Sequence, residues 1–179
     1  PMPVTPTIVL VHGAWADGSS WSKIIKPLVA EGVGVVAPSL PLTSFQDDVA
    51  ALERALERVP GPVVLAGHAY AGAVIAAIRS DKVKALVYIA AFAPDIGESP
   101  VSLNPPPSDG PSPFTPSADG FLFLNKDAFL HAFAPDVKDK EFLEASQVPY
   151  GLAAASGKQT VAAWKTKPSW YLLSANDQI

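Results

Sequence analysis

The chain has no cysteine, only three histidines and no long apolar run. Each shortage removes a class of protein. Without cysteine there is no disulfide framework, no thiolate nucleophile and no Cys-based zinc or iron–sulfur site. No apolar stretch approaches the ~18 residues that a membrane-spanning helix needs. The opening Pro1-Met2-Pro3-Val4-Thr5-Pro6 lacks the basic start and long apolar stretch of a secretory signal. Thirteen Lys and Arg against 17 Asp and Glu give a net charge of −4 with no basic cluster. That balance argues against nucleic acid and anionic membrane as partners. No His, Asp and Glu stand at metal-ligand spacing, so neither a metal nor another cofactor is expected. Together these absences fit a cytoplasmic protein; they leave its oligomeric state open.

What is present suits one globular domain. At 179 residues and 49% hydrophobic content, the chain can bury a core without covalent staples. Its 19 prolines are about twice the usual ~5%, and seven lie between Pro100 and Pro116.

The first half alternates strand-like and helix-like segments. Thr7 to His12 is a short β-rich run closed by Gly13, the pattern of a strand buried on both faces. Ser19 or Ser20 can cap a helix through Trp21, Ile24, Ile25, Leu28 and Val29 that stops at Gly32. Val33 to Ala37 reads as a second strand. A helix follows Ser44, with Phe45, Val49, Leu52, Leu56 and Val59 at 3-to-4 spacing. Pro62 to Gly67 is a third strand, Tyr70 to Arg79 a small-residue helix and Val83 to Ala91 a fourth strand. This alternation implies parallel strands joined by helical crossovers, an α/β sheet protein.

The pattern breaks at Pro94-Asp95. Residues 96–120 carry no period and read as an irregular excursion. Short helices are expected at Asp127–Phe133 and Asp136–Val148, and a weaker one at Gly151–Trp164. Ser169 to Ser174 returns to strand. The expected organisation is therefore a sheet core of residues 1–94 and 168–179, with residues 95–167 inserted as a cap.

The most informative stretch is Gly67-His68-Ala69-Tyr70-Ala71-Gly72, between a strand and a helix. It has the setting of a nucleophile elbow, G-x-S-x-G, in which the strained central residue requires small neighbours two positions away. Gly67 and Ala71 meet that demand, while Ala69 stands where the elbow carries Ser. The plainer readings are an ordinary strand–helix turn or a glycine-rich phosphate loop, although neither dinucleotide-loop nor P-loop spacing is present. His12-Gly13-Ala14-Trp15 ends the first strand at the same edge of the sheet. The backbone N–H groups of Ala14 and Tyr70 could there form an oxyanion hole. His12 and His68 read as structural, His12 bonding nearby loop backbone and His68 pointing away by strand alternation. Asp177, just past the last strand, follows the elbow in the order nucleophile, acid, His; Asp95 is the alternative acid.

Ile8 to Trp15, the Gly67–Gly72 turn, Tyr88 to Asp95, Lys167 to Tyr171 and Asn176-Asp177 together resemble the α/β-hydrolase superfamily. The similarity is to small bacterial α/β-hydrolases related to plant methylesterases and hydroxynitrile lyases, and it covers nearly the whole chain. The resemblance implies an α/β-hydrolase fold with Ala69 at the nucleophile position, Ala14 and Tyr70 as oxyanion N–H donors and Asp177 as triad acid. It further implies a catalytic His some tens of residues past the acid, on a helix and strand that this chain does not contain. The expected activity is hydrolysis of a small, largely apolar carboxylic ester or lactone. Trp15, Tyr70 and Trp164 are the aromatic candidates to contact it. With Ala69 lacking a hydroxyl, the chain reads as an inactive variant of such an enzyme. The alternatives are a catalytically dead protein that binds a small molecule, or a hydroxynitrile-lyase-like C–C lyase. The lyase is disfavoured because Gly13 stands where the lyases of the group carry Thr.

Overall fold

The computed structural model describes residues 4–105, 109 and 112–176. Five strands form a parallel sheet: β1 (Thr7–Val11), β2 (Val35–Val36), β3 (Val63–His68), β4 (Val83–Ile89) and β8 (Ser169–Leu172), in the order β2-β1-β3-β4-β8. Each inner strand puts alternate residues on opposite faces, so the two faces build separate cores. Val9, Val11, Leu65, Leu86 and Tyr88 join the larger core, while Leu10, Ala66, Val87 and Ile89 lie on the smaller one.

The larger core is covered by helices α2 (Phe45–Glu57) and α3 (Ala71–Ala76). Ser44 caps α2 by accepting the Asp47 N–H, and Phe45, Leu52 and Leu56 fall on its buried stripe. The far end of α2 is closed by Lys82, whose ammonium donates to the carbonyls of Leu56, Glu57 and Val59. This places a positive charge on carbonyls that the helix itself cannot satisfy. On the other face, α1 (Ser22–Ala30) packs only lightly. It has no fully buried residue, and Ile24 and Val29 are 47% and 57% exposed. β8 is likewise exposed along its length, including Trp170, Tyr171 and Leu172.

The segment between β4 and β8 departs from the expected irregular stretch. Phe114–Pro116 (β5), Phe121–Leu124 (β6) and Tyr150–Gly151 (β7) form a small antiparallel sheet in the order β5-β6-β7. Helical turns run from Lys126 to Phe133, the last five residues as a π-helix, and from Lys140 to Ala145. The expected helix over Gly151–Trp164 is only Leu152–Ala155, followed later by a 3₁₀ turn at Ala163–Lys165. Long-range pairing overrides local propensity here. The buried Gln159 donates from its amide to the carbonyls of Ala73 and Val161, and its backbone N–H goes to Glu98. No helix among the described residues is long and apolar enough to cross a membrane.

His12, at the end of β1, is completely buried. Its Nε2 accepts the Leu40 N–H at 2.8 Å, which leaves Nδ1 protonated and donating to the Gly13 carbonyl at 2.8 Å. The neutral ring therefore ties the tip of β1 to the loop that leads into α2, the structural role read for it from the sequence.

Two outcomes follow from this packing. Leu52→Ala, on the fully buried stripe of α2, is expected to cost about 2–5 kcal/mol, whereas Ile24→Ala on the exposed α1 should cost under about 1 kcal/mol. Urea unfolding of the two variants measures the difference. Burial lowers the His12 pKa below its ordinary 6.5. The unfolded chain then binds a proton that the folded chain refuses, so stability falls as pH drops below 6.5 and is restored above it. Urea titrations at neutral and mildly acidic pH should show the parent losing more stability on acidification than His12→Gln. Parallel losses would overturn the neutral-ring assignment.

Candidate active site

β3 ends at His68 and α3 begins at Ala71, leaving a turn so short that Ala69 takes a left-handed backbone, φ 51°. An alanine in that region costs roughly 1–3 kcal/mol and persists only where its surroundings over-determine it. Three backbone bonds do so. The Ala69 N–H donates to the Ile89 carbonyl at 3.4 Å, and its own carbonyl accepts the N–H groups of Gly72 and Phe92, both at 3.1 Å. The small neighbours are a spatial necessity. A Cβ on Gly67 would stand 3.0 Å from the Ala71 carbonyl oxygen, and one on Gly72 only 1.8 Å from that of Phe92.

The loop after β1 closes over this turn. A side-chain carbon at position 13 would lie 3.1 Å from the Ala69 Cβ, so the backbone of Gly13 passes directly beside it. Ala14 follows, buried, and Trp15 has φ 61°. Trp15 is fixed from several sides. Its indole N–H donates to the Leu122 carbonyl at 3.0 Å, its carbonyl accepts the Val148 N–H, and its ring stacks on Phe114. Position 69 and Trp15 line a cavity of about 990 Å³ together with Phe129, Phe133, Val137 and Leu143. Most of the lining is apolar, with Asp17, Lys23 and Asp139 also on it, the composition of a small-molecule pocket.

The other candidates fall in different places. Tyr70 opens α3 beside Ala69, as the elbow pattern requires, but its ring is core: it is 2% exposed and packs against Tyr150 at 4.9 Å. Trp164 donates its indole N–H to the Pro94 carbonyl at 2.9 Å. Neither ring is among the residues that line the cavity. His68 does line it, half-buried with its ring edge-on to Trp21, because the cavity extends past β3 toward the smaller core. Asp95, the alternative acid, pairs with Lys165 at 2.6 Å on the surface. Asp177 lies outside the described residues. No group of three or more His, Asp and Glu able to hold a metal occurs among the described residues.

One residue beside the turn escaped the sequence reading. Asp48 is fully buried, with one carboxylate oxygen accepting the Leu42 N–H at 2.7 Å and the other the Tyr70 hydroxyl at 2.5 Å. Burial pushes its carboxyl up to about 6, against the opposing pull of those two donors. The same burial, together with the neighbouring carboxylate, raises the Tyr70 phenol, which stays protonated as a donor. The signal was present in the sequence, since Asp48 sits on the apolar stripe between Phe45 and Leu52. An acid in a first helical turn ordinarily reads as a solvated partner of the helix dipole.

Comparison with known proteins agrees with this geometry. A family model described as the alpha/beta hydrolase family matches residues 8–179. A carbendazim-hydrolyzing esterase from Nocardioides sp. (strain SG-4G) is 31% identical over 112 residues. That match takes in 54% of this chain but 46% of the esterase, so the chain aligns with less than half of that relative's length. Among solved structures, the pyrethroid hydrolase PytH superposes with a TM-score of 0.77 at 20% identity, over 94% of this chain and 77% of its own. An extracellular alpha/beta-hydrolase from a Paenibacillus species superposes with a TM-score of 0.76 at 18% identity, over 93% and 76%. At those identities the structures speak for the fold, and the family match speaks for descent. The open parallel sheet, the strained turn after β3 and the match over nearly all its residues together show that this chain belongs to the alpha/beta hydrolase family.

Proposed function

We propose that this site is the acyl-transfer centre of a serine-hydrolase-type carboxylic ester or lactone hydrolase, with Ala69 in the nucleophile's place. The observation that carries the reading is the left-handed backbone of Ala69, held by three hydrogen bonds beside the Gly13 loop. A strained turn of this kind lifts one side chain into a cavity.

In this reading the N–H groups of Ala14 and Tyr70 face the oxygen that gains charge as the carbonyl becomes tetrahedral. A serine hydroxyl at position 69 would add to the carbonyl carbon and pass its proton to a His. Collapse of the tetrahedral species would expel the alcohol, which takes that proton, and water would then hydrolyse the acyl-enzyme. Asp177 is the acid assigned to hold the imidazole tautomer. None of the three histidines fits the role of the base by sequence order, since all precede Asp177. The base is assigned to polypeptide outside these residues. Residues 95–167 act as the cap, and the apolar wall of Phe129, Phe133, Val137 and Leu143 selects a small, largely uncharged substrate. The similarity to a carbendazim-hydrolyzing esterase supports the ester-hydrolase class.

Ala69 itself favours one second reading, a binding protein that keeps the cavity and has lost the chemistry. Ala69→Ser in the protein's natural reading frame separates the two. The parent should show background hydrolysis of p-nitrophenyl acetate and no labelling by a fluorophosphonate. The serine variant should gain several orders of magnitude, since loss of the nucleophile costs about 10⁶ in turnover in a well-studied serine hydrolase. A serine variant that stays inert yet still binds apolar esters would establish the binding reading instead.

A further inference from the structure

We propose that Asp48 is a positioning residue: through the Tyr70 phenol it holds the peptide between positions 69 and 70, and with it the direction of the Tyr70 N–H, the donor assigned to the oxyanion hole. This rests on the oxyanion-hole reading given above. Four observations carry it.

The first is reach. Ala69, Ala71 and Gly72 have no side chain long enough to anchor the turn to anything beyond its own backbone, so Tyr70 is the turn's single lever. The second is the quality of the anchor. The hydroxyl donates at 2.5 Å to a carboxylate oxygen of a fully buried acid, and hydrogen bonds to ionised groups are roughly twice as strong as neutral ones. The third is that Asp48 is itself fixed. It projects from the thirteen-residue α2, and its other oxygen accepts the Leu42 N–H at 2.7 Å. Leu42 has φ 60°, and its carbonyl accepts the Gly151 N–H at 2.7 Å from β7. One carboxylate thus joins α2, the loop before it and the turn, and Leu42 carries the link on to Gly151 of β7. The fourth is the enclosure of the ring. Tyr70 packs edge-on to Tyr150, which packs edge-on to Trp15. The two loops that supply the oxyanion N–H groups are therefore braced through the same aromatic row.

A buried carboxylate is expensive, and a buried Asp whose only duty were to fill space would be better replaced by an apolar residue of similar size. Here both oxygens are spent on groups that set backbone direction, one at the turn and one at Leu42. Such an arrangement favours a single geometry over raw stability.

Amide hydrogen exchange on the present chain tests the anchor without any catalysis. Tyr70→Phe removes only the hydroxyl, and should speed exchange about tenfold or more at Gly72, Ala73 and Phe92, whose N–H groups bond to the Ala69 and Tyr70 carbonyls, while leaving the amides of β1 and β3 unchanged. Asp48→Leu, which removes both acceptors, should loosen the same amides, and Asp48→Asn, whose single amide oxygen can accept from only one of the two donors while its NH2 faces the other, should fall between. Tyr70→Phe and Asp48→Leu in the Ala69→Ser protein should each lower kcat about tenfold with KM nearly constant, because a misdirected oxyanion donor is felt in the transition state. Asp48→Asn should give an intermediate kcat. Unchanged exchange at the turn, or exchange that rises everywhere alike, overturns the proposal. Local loosening by Tyr70→Phe in a serine variant that is inert would uphold the anchor and defeat the ester-hydrolase reading.

Discussion

Where β3 gives way to α3, an alanine holds a backbone conformation that most side chains avoid, φ 51°. The remainder of the site follows from keeping it there. Its carbonyl must receive two N–H groups, which brings the loop after β4 against the first turn of α3. That approach leaves no room for a side chain at Gly72, and the tight reversal leaves none at Gly67. β1 is the other neighbour of β3, so its trailing loop necessarily passes over position 69. The strain is local, and hydrogen bonds and steric closure from three strands oppose it. A turn without a task would relax this strain through glycine, since glycine adopts positive φ freely.

The parallel core was legible because its signals are local and repeated. Short apolar runs closed by Gly or Pro marked β1, β3 and β4, and the 3-to-4 spacing from Phe45 to Leu56 marked α2. Tyr70 was also legible as the residue after the nucleophile position, but its ring direction was not. Proximity in sequence to the site suggested contact with substrate, whereas α3 geometry sends the phenol inward to Asp48. The small sheet of β5, β6 and β7 was invisible for a different reason. Its strands are short, one contains Pro116, and the pairing of Leu122 with Tyr150 spans a separation that no local period encodes.

The two faces of the main sheet show how unevenly a fold of this kind can distribute its cohesion. One face meets α2, α3 and the residues from Leu124 to Ala163, and its side chains are almost wholly enclosed. The other has Trp21 and Ile25 as its main cover from α1 and the turn before it. Much of the hydrophobic contribution to folding, at roughly 25 cal/mol per Å² removed from water, therefore comes from the first face. The candidate site stands at the seam, with Trp15 in the enclosed core and His68 edge-on to Trp21 of the other.

β8 carries a consequence of its own. Its Trp170, Tyr171, Leu172 and the following Leu173 are 51–75% exposed, and no strand among the described residues pairs with its outer edge. A row of open amide and carbonyl groups beside large apolar side chains is a template for adding further β-structure. Neither a proline nor a lysine within β8 interrupts it. An edge of this character is suited to receive another strand, which would cover the same apolar side chains that here meet water.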